Sequence, residues 1–132
     1  MIDCASEKPP AFRQVLNVRQ FTFHADSALA GGGGDSAPGA HDYFDASLAA
    51  CKALTALVYA KTKGIPLERV ETHVERDDSQ ERQGTYVLKV RLAFHGETLT
   101  DEQRQRLHDV VGRCPVHKLM TTTDVVIETA PL

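Results

Sequence analysis

The sequence predicts an α+β fold in a single domain spanning residues 1–132. Three observations favour this class: a long amphipathic helix over residues 42–63, two strands of alternating polarity after it, and a capped helix that begins near residue 100. Hydrophobic residues make up 42% and charged residues 25% of the chain, as in ordinary globular domains. A chain of this length buries about 70% of its unfolded surface, which is enough for one core.

The N-terminal third predicts strands followed by a loop. Residues 12–23 are rich in Val, Phe and Thr, but their apolar phase shifts, so a bulge or turn is expected near Arg19 and Gln20. Residues 1–11 show no pattern and predict a flexible tail. The glycine-rich residues 30–40 predict a flexible loop, without the Gly-Lys-Ser/Thr that a phosphate-binding loop needs.

Residues 42–63 form the strongest predicted helix. Apolar and small side chains recur at spacings of three and four from Phe44 through Cys51 to Val58. Several alanines favour the helix, and Gly64 supplies a stop signal. The apolar face is wide, and a domain this small would have difficulty covering it from both sides.

The second half predicts a hairpin, helices and a strand. Residues 69–75 and 86–95 alternate in polarity and are joined by a charged link, which predicts an antiparallel hairpin with one face under the long helix. Thr100 and Gln103 have the spacing of a capping box. Residues 125–127 predict a final strand.

Charge and cysteine content limit the function. A net charge of -3 with scattered Lys and Arg gives no basic face, so neither nucleic acid nor a membrane is expected as a partner. The first residues contain no apolar signal region and no stretch is long enough to span a bilayer, so a cytoplasmic protein is expected. Three cysteines are too few for a secreted disulfide scaffold and predict reduced thiols.

Two cysteines are candidates for chemistry, and Cys4 is given no role. Cys51 lies mid-helix, where a cysteine is commonly a small buried hydrophobe and needs a nearby cation to become reactive. Cys114 precedes Pro115 at an expected helix start, where it either caps the helix or is activated as a thiolate. Cys114 and His117 have a Cys-x-x-His spacing, but one pair is fewer than the three or four ligands of a zinc site.

Two segments resemble the OsmC/Ohr family of osmotically inducible and organic hydroperoxide resistance proteins. They are PGAHDYFDASLAAC at residues 38–51 and RCPVHK at residues 113–118. The order of the predicted elements fits this family from about Phe12 onward. The resemblance implies an intertwined α+β homodimer whose central helices are buried between the sheets of two subunits.

The resemblance also implies a thiol peroxidase that acts in oxidative stress defence without metal, haem or another cofactor. Cys51 would attack a hydroperoxide and become a sulfenic acid, and Cys114 would condense with it to a disulfide. An external dithiol would then reduce that disulfide.

In this family an arginine from the N-terminal strands stabilises the reactive thiolate, and a glutamate orients the arginine. Arg19 is the candidate here and Arg13 the reserve. The chain has His41 at the position of the glutamate, with Asp42 next to it, so Asp42 is the expected carboxylate. From the residues alone, Asp42 is a simple helix-start charge, in which case the orienting carboxylate is absent.

Two other functions stay open. The departure at His41 favours a non-catalytic dimer that binds an apolar ligand or senses oxidants. A hydrolase would require Cys114 and His117 to lie within hydrogen-bonding reach of each other.

Overall fold

The computed structural model describes residues 1–9 and 11–132, which form two compact units, Met1–Phe44 and Asp45–Leu132. The first unit contains a three-stranded sheet and the start of the long helix α1 (Ala40–Lys63). The second unit contains the rest of α1, a hairpin and two further helices. This composition confirms the predicted α+β class.

The sheet of the first unit consists of three antiparallel strands: β1 (Ile2–Ser6), β2 (Gln14–Val18) and β3 (Phe21–Ala25). Val18 pairs with Phe21, so Arg19 and Gln20 alone form the turn, where the phase shift predicts one. Arg19 adopts a φ of 54°, a left-handed conformation that is uncommon for a residue with a side chain. The expectation of a flexible tail over residues 1–11 does not hold for β1, which pairs with β2 along its whole length.

A buried carboxylate, Asp26, organises the predicted loop over residues 30–40. Its Oδ2 accepts hydrogen bonds from Ser36 Oγ at 2.6 Å and Ser36 N at 3.1 Å, and its Oδ1 accepts one from Ser27 N at 2.8 Å. The Ser36 hydroxyl first, and then these backbone N–H groups, hold the pKa of Asp26 below its usual value. Gly33 runs so close to Ser27 that a β-carbon there would lie 2.0 Å from the Ser27 carbonyl oxygen.

The second unit adds two strands and two helices: β4 (Arg69–Asp77), β5 (Val87–His95), α2 (Asp101–Val111) and α3 (Pro115–Thr121). β4 and β5 pair as the predicted antiparallel hairpin. The capping box is confirmed, because Thr100 Oγ1 accepts from Gln103 N at 3.1 Å and Gln103 Oε1 accepts from Thr100 N at 3.0 Å. Cys114 is the N-cap of α3, with Pro115 at its first position, as predicted.

The core of the second unit lies between α1, the hairpin and α2. Its buried members are Ala56, Ala60, Ile65, Phe94, Leu99, Leu107 and Val111. The predicted apolar face of α1 is buried only in part: Leu48 is buried, whereas Leu54 and Val58 are 60% and 65% exposed. The buried face carries Asp45, Leu48, Lys52, Ala56 and Ala60. The small alanine side chains of α1 pack in the core, so larger apolar residues such as Leu54 and Val58 remain on the open side.

The expected final strand is wrong for this structure. Within the part of the chain that the structure describes, residues 125–127 pair with no other strand. Their side chains are 62%, 81% and 83% exposed, so this run of three β-branched residues has the composition of a strand but no sheet to join. None of the described helices is both long and apolar enough to cross a membrane.

Candidate active site

Cys51 is half-buried on α1, between its buried and open faces. Its Sγ accepts a hydrogen bond from the backbone N–H of Val116 at 3.4 Å and lies 4.0 Å from Thr55 Oγ1. Val116 is the second residue of α3, where a backbone N–H has no partner within its own helix. The Cys51 sulfur therefore serves as the acceptor that this N–H lacks in its own helix.

Cys114 is fully buried where α3 begins. Burial is the largest influence and raises the pKa of its thiol. The backbone N–H of His117 and the charge of Lys52 lower that pKa, while the neighbouring thiol of Cys51 raises it. The two cysteines singled out from the sequence therefore lie side by side, both as free thiols.

Lys52, the next residue of α1 after the reactive-thiol candidate, is buried to 5% exposure. Its Nζ donates a hydrogen bond to the Val111 carbonyl oxygen at 2.8 Å and lies 3.5 Å from His117 Nδ1. The sequence analysis missed it, because a helical lysine ordinarily faces solvent. Its spacing of four and eight residues from Ala56 and Ala60, on the alanine face, is the signal that could have found it.

An open groove of about 660 Å³ lies beside the Cys51 thiol. Its walls are mainly apolar, and they include Ala50, Leu54, Val58 and Tyr59 of α1 and Pro115 and Val116 of α3. An apolar group can therefore rest against α1 with its reactive end at the sulfur.

Both candidate arginines belong to the first unit. Arg19 is exposed in the β2–β3 turn, with its guanidinium carbon 5.3 Å from the centroid of the Phe21 ring. Arg13 is engaged in the loop: its Nε lies 3.2 Å from Glu7 Oε1, and its Nη1 donates to Ser36 O and Ser36 Oγ at 3.0 Å. Of the two, Arg19 is therefore less involved in holding its own unit together.

The candidate carboxylate Asp42 also lies in the first unit, in the first turn of α1. Its Oδ2 accepts a hydrogen bond from the backbone N–H of Gly39 at 2.8 Å, a contact typical of a helix start. His41 is exposed beside it. The roles of Arg19 and Asp42 toward the thiol of Cys51 stay predictions.

A buried ion pair fixes α1 to the hairpin in the second unit. Asp45 Oδ2 accepts from Arg76 Nε at 2.6 Å and Nη2 at 2.5 Å, and Asp45 Oδ1 accepts from the Tyr86 hydroxyl at 2.8 Å. Burial and the hydrogen bond to Asp45 raise the pKa of Tyr86. The sequence analysis missed this cluster, whose members lie 31 and 41 residues apart in the chain. It fixes the helix that carries Cys51.

His117, the second member of the Cys-x-x-His pair, has its Nδ1 directed at Lys52. Across residues 1–9 and 11–132, no group of three or more His, Cys, Asp or Glu side chains comes together as a metal ion would require.

Family comparison supplies the identity of the fold. A family model described as OsmC-like protein matches residues 32–130, more than half of the chain. The chain belongs to the OsmC-like family. The match includes both segments that carry the resemblance, residues 38–51 and 113–118. No curated protein matches the chain in sequence.

Solved structures of the OsmC-like family share this architecture. An OsmC like protein from Mycoplasma pneumoniae is 19% identical with a TM-score of 0.72, covering 92% of this chain and 86% of its own. The organic hydroperoxide resistance protein OhrB of Bacillus subtilis is 19% identical with a TM-score of 0.60, covering 92% and 90%. An organic hydroperoxide resistance protein OsmC from Legionella pneumophila is 18% identical with a TM-score of 0.62, covering 92% and 88%. At such identities the similarity establishes the fold.

Proposed function

We propose that this OsmC-like protein is a thiol-dependent peroxidase that reduces organic hydroperoxides, with Cys51 as the attacking thiol and Cys114 as the resolving thiol. The observation that carries the proposal is the pairing of a half-buried Cys51, open to an apolar groove, with a buried cysteine beside it. Structural relatives described as organic hydroperoxide resistance proteins support the same substrate class.

The proposed cycle uses three steps and no metal or organic cofactor. The Cys51 thiolate attacks the peroxide, the O–O bond breaks, and the alkoxide takes up a proton and leaves as an alcohol, while Cys51 becomes a sulfenic acid. Cys114 then attacks the Cys51 sulfur, the S–O bond breaks, and water leaves as the disulfide forms. An external dithiol supplies two electrons that restore both thiols.

Activation of Cys51 by Arg19 is part of this proposal, with Asp42 as the carboxylate that orients the guanidinium. Arg19 holds a left-handed backbone conformation, with a φ of 54°, in a two-residue turn where glycine or asparagine would be unstrained. Backbone outliers of this kind cluster at functional sites, which supports a role for the Arg19 side chain.

We also propose a cytoplasmic homodimer that serves in oxidative stress defence. Leu54 and Val58 on the open side of α1 expose 60% and 65% of their surface, and Val126 and Ile127 expose 81% and 83%. Exposed apolar side chains such as these are typical of an interface, and the segment that carries Val126 and Ile127, which pairs with no strand among the described residues, is available to a partner's sheet. The reducing cytoplasm keeps thiols such as Cys51 free between cycles.

The test is consumption of cumene hydroperoxide by the reduced protein, followed by thiol counting and mass spectrometry. We expect the loss of two thiols per peroxide in the wild type and no consumption by Cys51→Ser. Cys114→Ser is expected to stop at a sulfenic acid that dimedone traps. Cys4→Ser, which changes an exposed thiol on β1, is the matched control and should behave as wild type. Full peroxide consumption by Cys51→Ser would refute the assignment.

The apolar groove also favours a second candidate, a non-catalytic protein that binds an apolar ligand. That function predicts saturable binding of a fatty acid without peroxide consumption. A hydrolase based on Cys114 is disfavoured, because the Cys114 thiol is fully buried and a nucleophile must reach its substrate.

A further inference from the structure

Lys52 is a buried cation that has no carboxylate partner within residues 1–9 and 11–132. Its side chain is 5% exposed, and its two polar contacts are the Val111 carbonyl oxygen at 2.8 Å and His117 Nδ1 at 3.5 Å. Among the residues that the structure describes, no Asp or Glu forms an ion pair with it. A buried ammonium group is costly unless an anion compensates it, so the site favours an anion next to Lys52.

The thiol of Cys114 is the neighbouring group that can become this anion. It is fully buried, and burial raises its pKa, whereas the charge of Lys52 acts in the opposite direction. The Val111 carbonyl oxygen links the two residues, because it accepts from Lys52 Nζ at 2.8 Å and from the backbone N–H of Cys114 at 3.4 Å. Lys52 also holds the carbonyl of Val111, three residues before Cys114, and so ties α1 to the turn that carries the thiol. Among the described residues, the titratable side chains that act on Cys114 are Cys51 and Lys52 from α1. His117 of α3 contacts Cys114 through its backbone N–H, and its imidazole Nδ1 faces Lys52.

We propose that Lys52 is a positioning residue that serves as the counter-ion of the Cys114 thiolate, both when this thiolate forms the disulfide with Cys51 and when it is released from it. The inference rests on the proposed peroxidase function. In disulfide formation the Cys114 sulfur bonds to the Cys51 sulfur, and the hydroxide of the sulfenic acid leaves and becomes water by taking up a proton.

Lys52 has the same role when the disulfide is reduced, because Cys114 is then released as a thiolate. A thiolate of the external dithiol bonds to the half-buried sulfur of Cys51, the S–S bond breaks, and Cys114 departs as a thiolate beside Lys52. The second thiol of the external dithiol then attacks the mixed disulfide between that dithiol and Cys51, which frees Cys51. A leaving thiol of lower pKa departs faster, so the Lys52 charge accelerates this step as well.

A direct test needs no peroxide. In a Cys4→Ser/Cys51→Ser background, the ultraviolet absorbance of the remaining thiolate is followed against pH. We expect Lys52→Met to raise the pKa of Cys114 by about 1 or more, because a nearby opposite charge is lost. Lys52→Arg should restore it, and Lys61→Met, which removes an exposed lysine of the same helix, should leave it unchanged.

The kinetic test separates the two chemical steps by stopped-flow spectroscopy. Disulfide formation in Lys52→Met should slow by about threefold relative to sulfenic acid formation, because a pKa rise of 1 lowers the thiolate fraction about tenfold while the more basic thiolate is about threefold more nucleophilic. Its pH profile should move to higher pH. If the wild type forms no sulfenic acid, the peroxidase proposal fails, while the titration still decides the role of Lys52.

An unchanged Cys114 pKa in folded Lys52→Met would overturn the inference. Circular dichroism and urea unfolding establish whether that variant folds. Should it not fold, Lys52→Gln and Lys52→Arg are compared instead, and equal Cys114 pKa values in these two variants would overturn it as well.

Discussion

Replacing Asp45 by asparagine tests the buried ion pair that holds α1 on the hairpin. Asparagine keeps the shape of the side chain but loses its charge and one of the oxygens that accept from Arg76 and Tyr86. Breaking a fully buried pair costs about 3–5 kcal/mol. The side chains of Asp45 and Arg76 are 12% and 28% exposed, so water offsets part of the loss. We therefore expect Asp45→Asn to lower the free energy of unfolding by about 2 kcal/mol.

Urea unfolding at equal protein concentrations measures this loss. A second readout is the pKa of Tyr86, which should fall in the variant because the contribution of Asp45 disappears while that of burial remains. Asp78→Asn, at an exposed position of the β4–β5 link, is the matched control and should change neither quantity. A loss below about 0.5 kcal/mol would refute the reasoning, since it would equal that of a solvated surface pair.

Three further substitutions test the core, the capping box and a surface ion pair by urea unfolding. Leu107→Ala should cost about 3 kcal/mol, because it leaves a cavity at a fully buried site, and a cost under about 1 kcal/mol would contradict that packing. Thr100→Ala should cost about 1 kcal/mol by removing the cap, and no change would mean that water replaces it. Glu71 has its pKa lowered by the hydrogen bond from His95 first and then by Arg69. Its contribution is therefore present above about pH 4.3 and lost as the pH falls below that value. Glu71→Gln should weaken this acid dependence, and parallel pH curves for variant and wild type would contradict it.

The elements that the sequence predicted are those set by local chemistry. The turn at Arg19 and Gln20 follows from a shift of apolar phase within one short segment, and the capping box follows from two residues three positions apart. A proline directly after Cys114 likewise marked the start of α3. These signals can be interpreted without knowing which distant residues pack against the segment.

The missed features depend on distant partners. Lys52 and Asp45 look like ordinary charged residues of a helix surface, and only the packing of α2, α3 and the hairpin against α1 makes them buried. The strand β1 exposes all five of its residues, so its sequence needs no alternation of apolar and polar side chains by which a strand could be predicted. The adjacency of Cys51 and Cys114 likewise requires the docking of α3, which no local pattern records.

The glycine run between β3 and α1 carries position-specific information, although it looks like low-complexity sequence. A β-carbon at Gly33 would overlap the carbonyl of Ser27, and Gly32 adopts a left-handed φ of 92°. At Gly34 the closest atom would be Asp26 Oδ2 at 3.3 Å, which a small shift of that side chain relieves. A library that randomises this tract should therefore recover varied residues at Gly34 and almost only glycine at Gly33. Adjacent glycines of the same run would then differ widely in the substitutions that they tolerate.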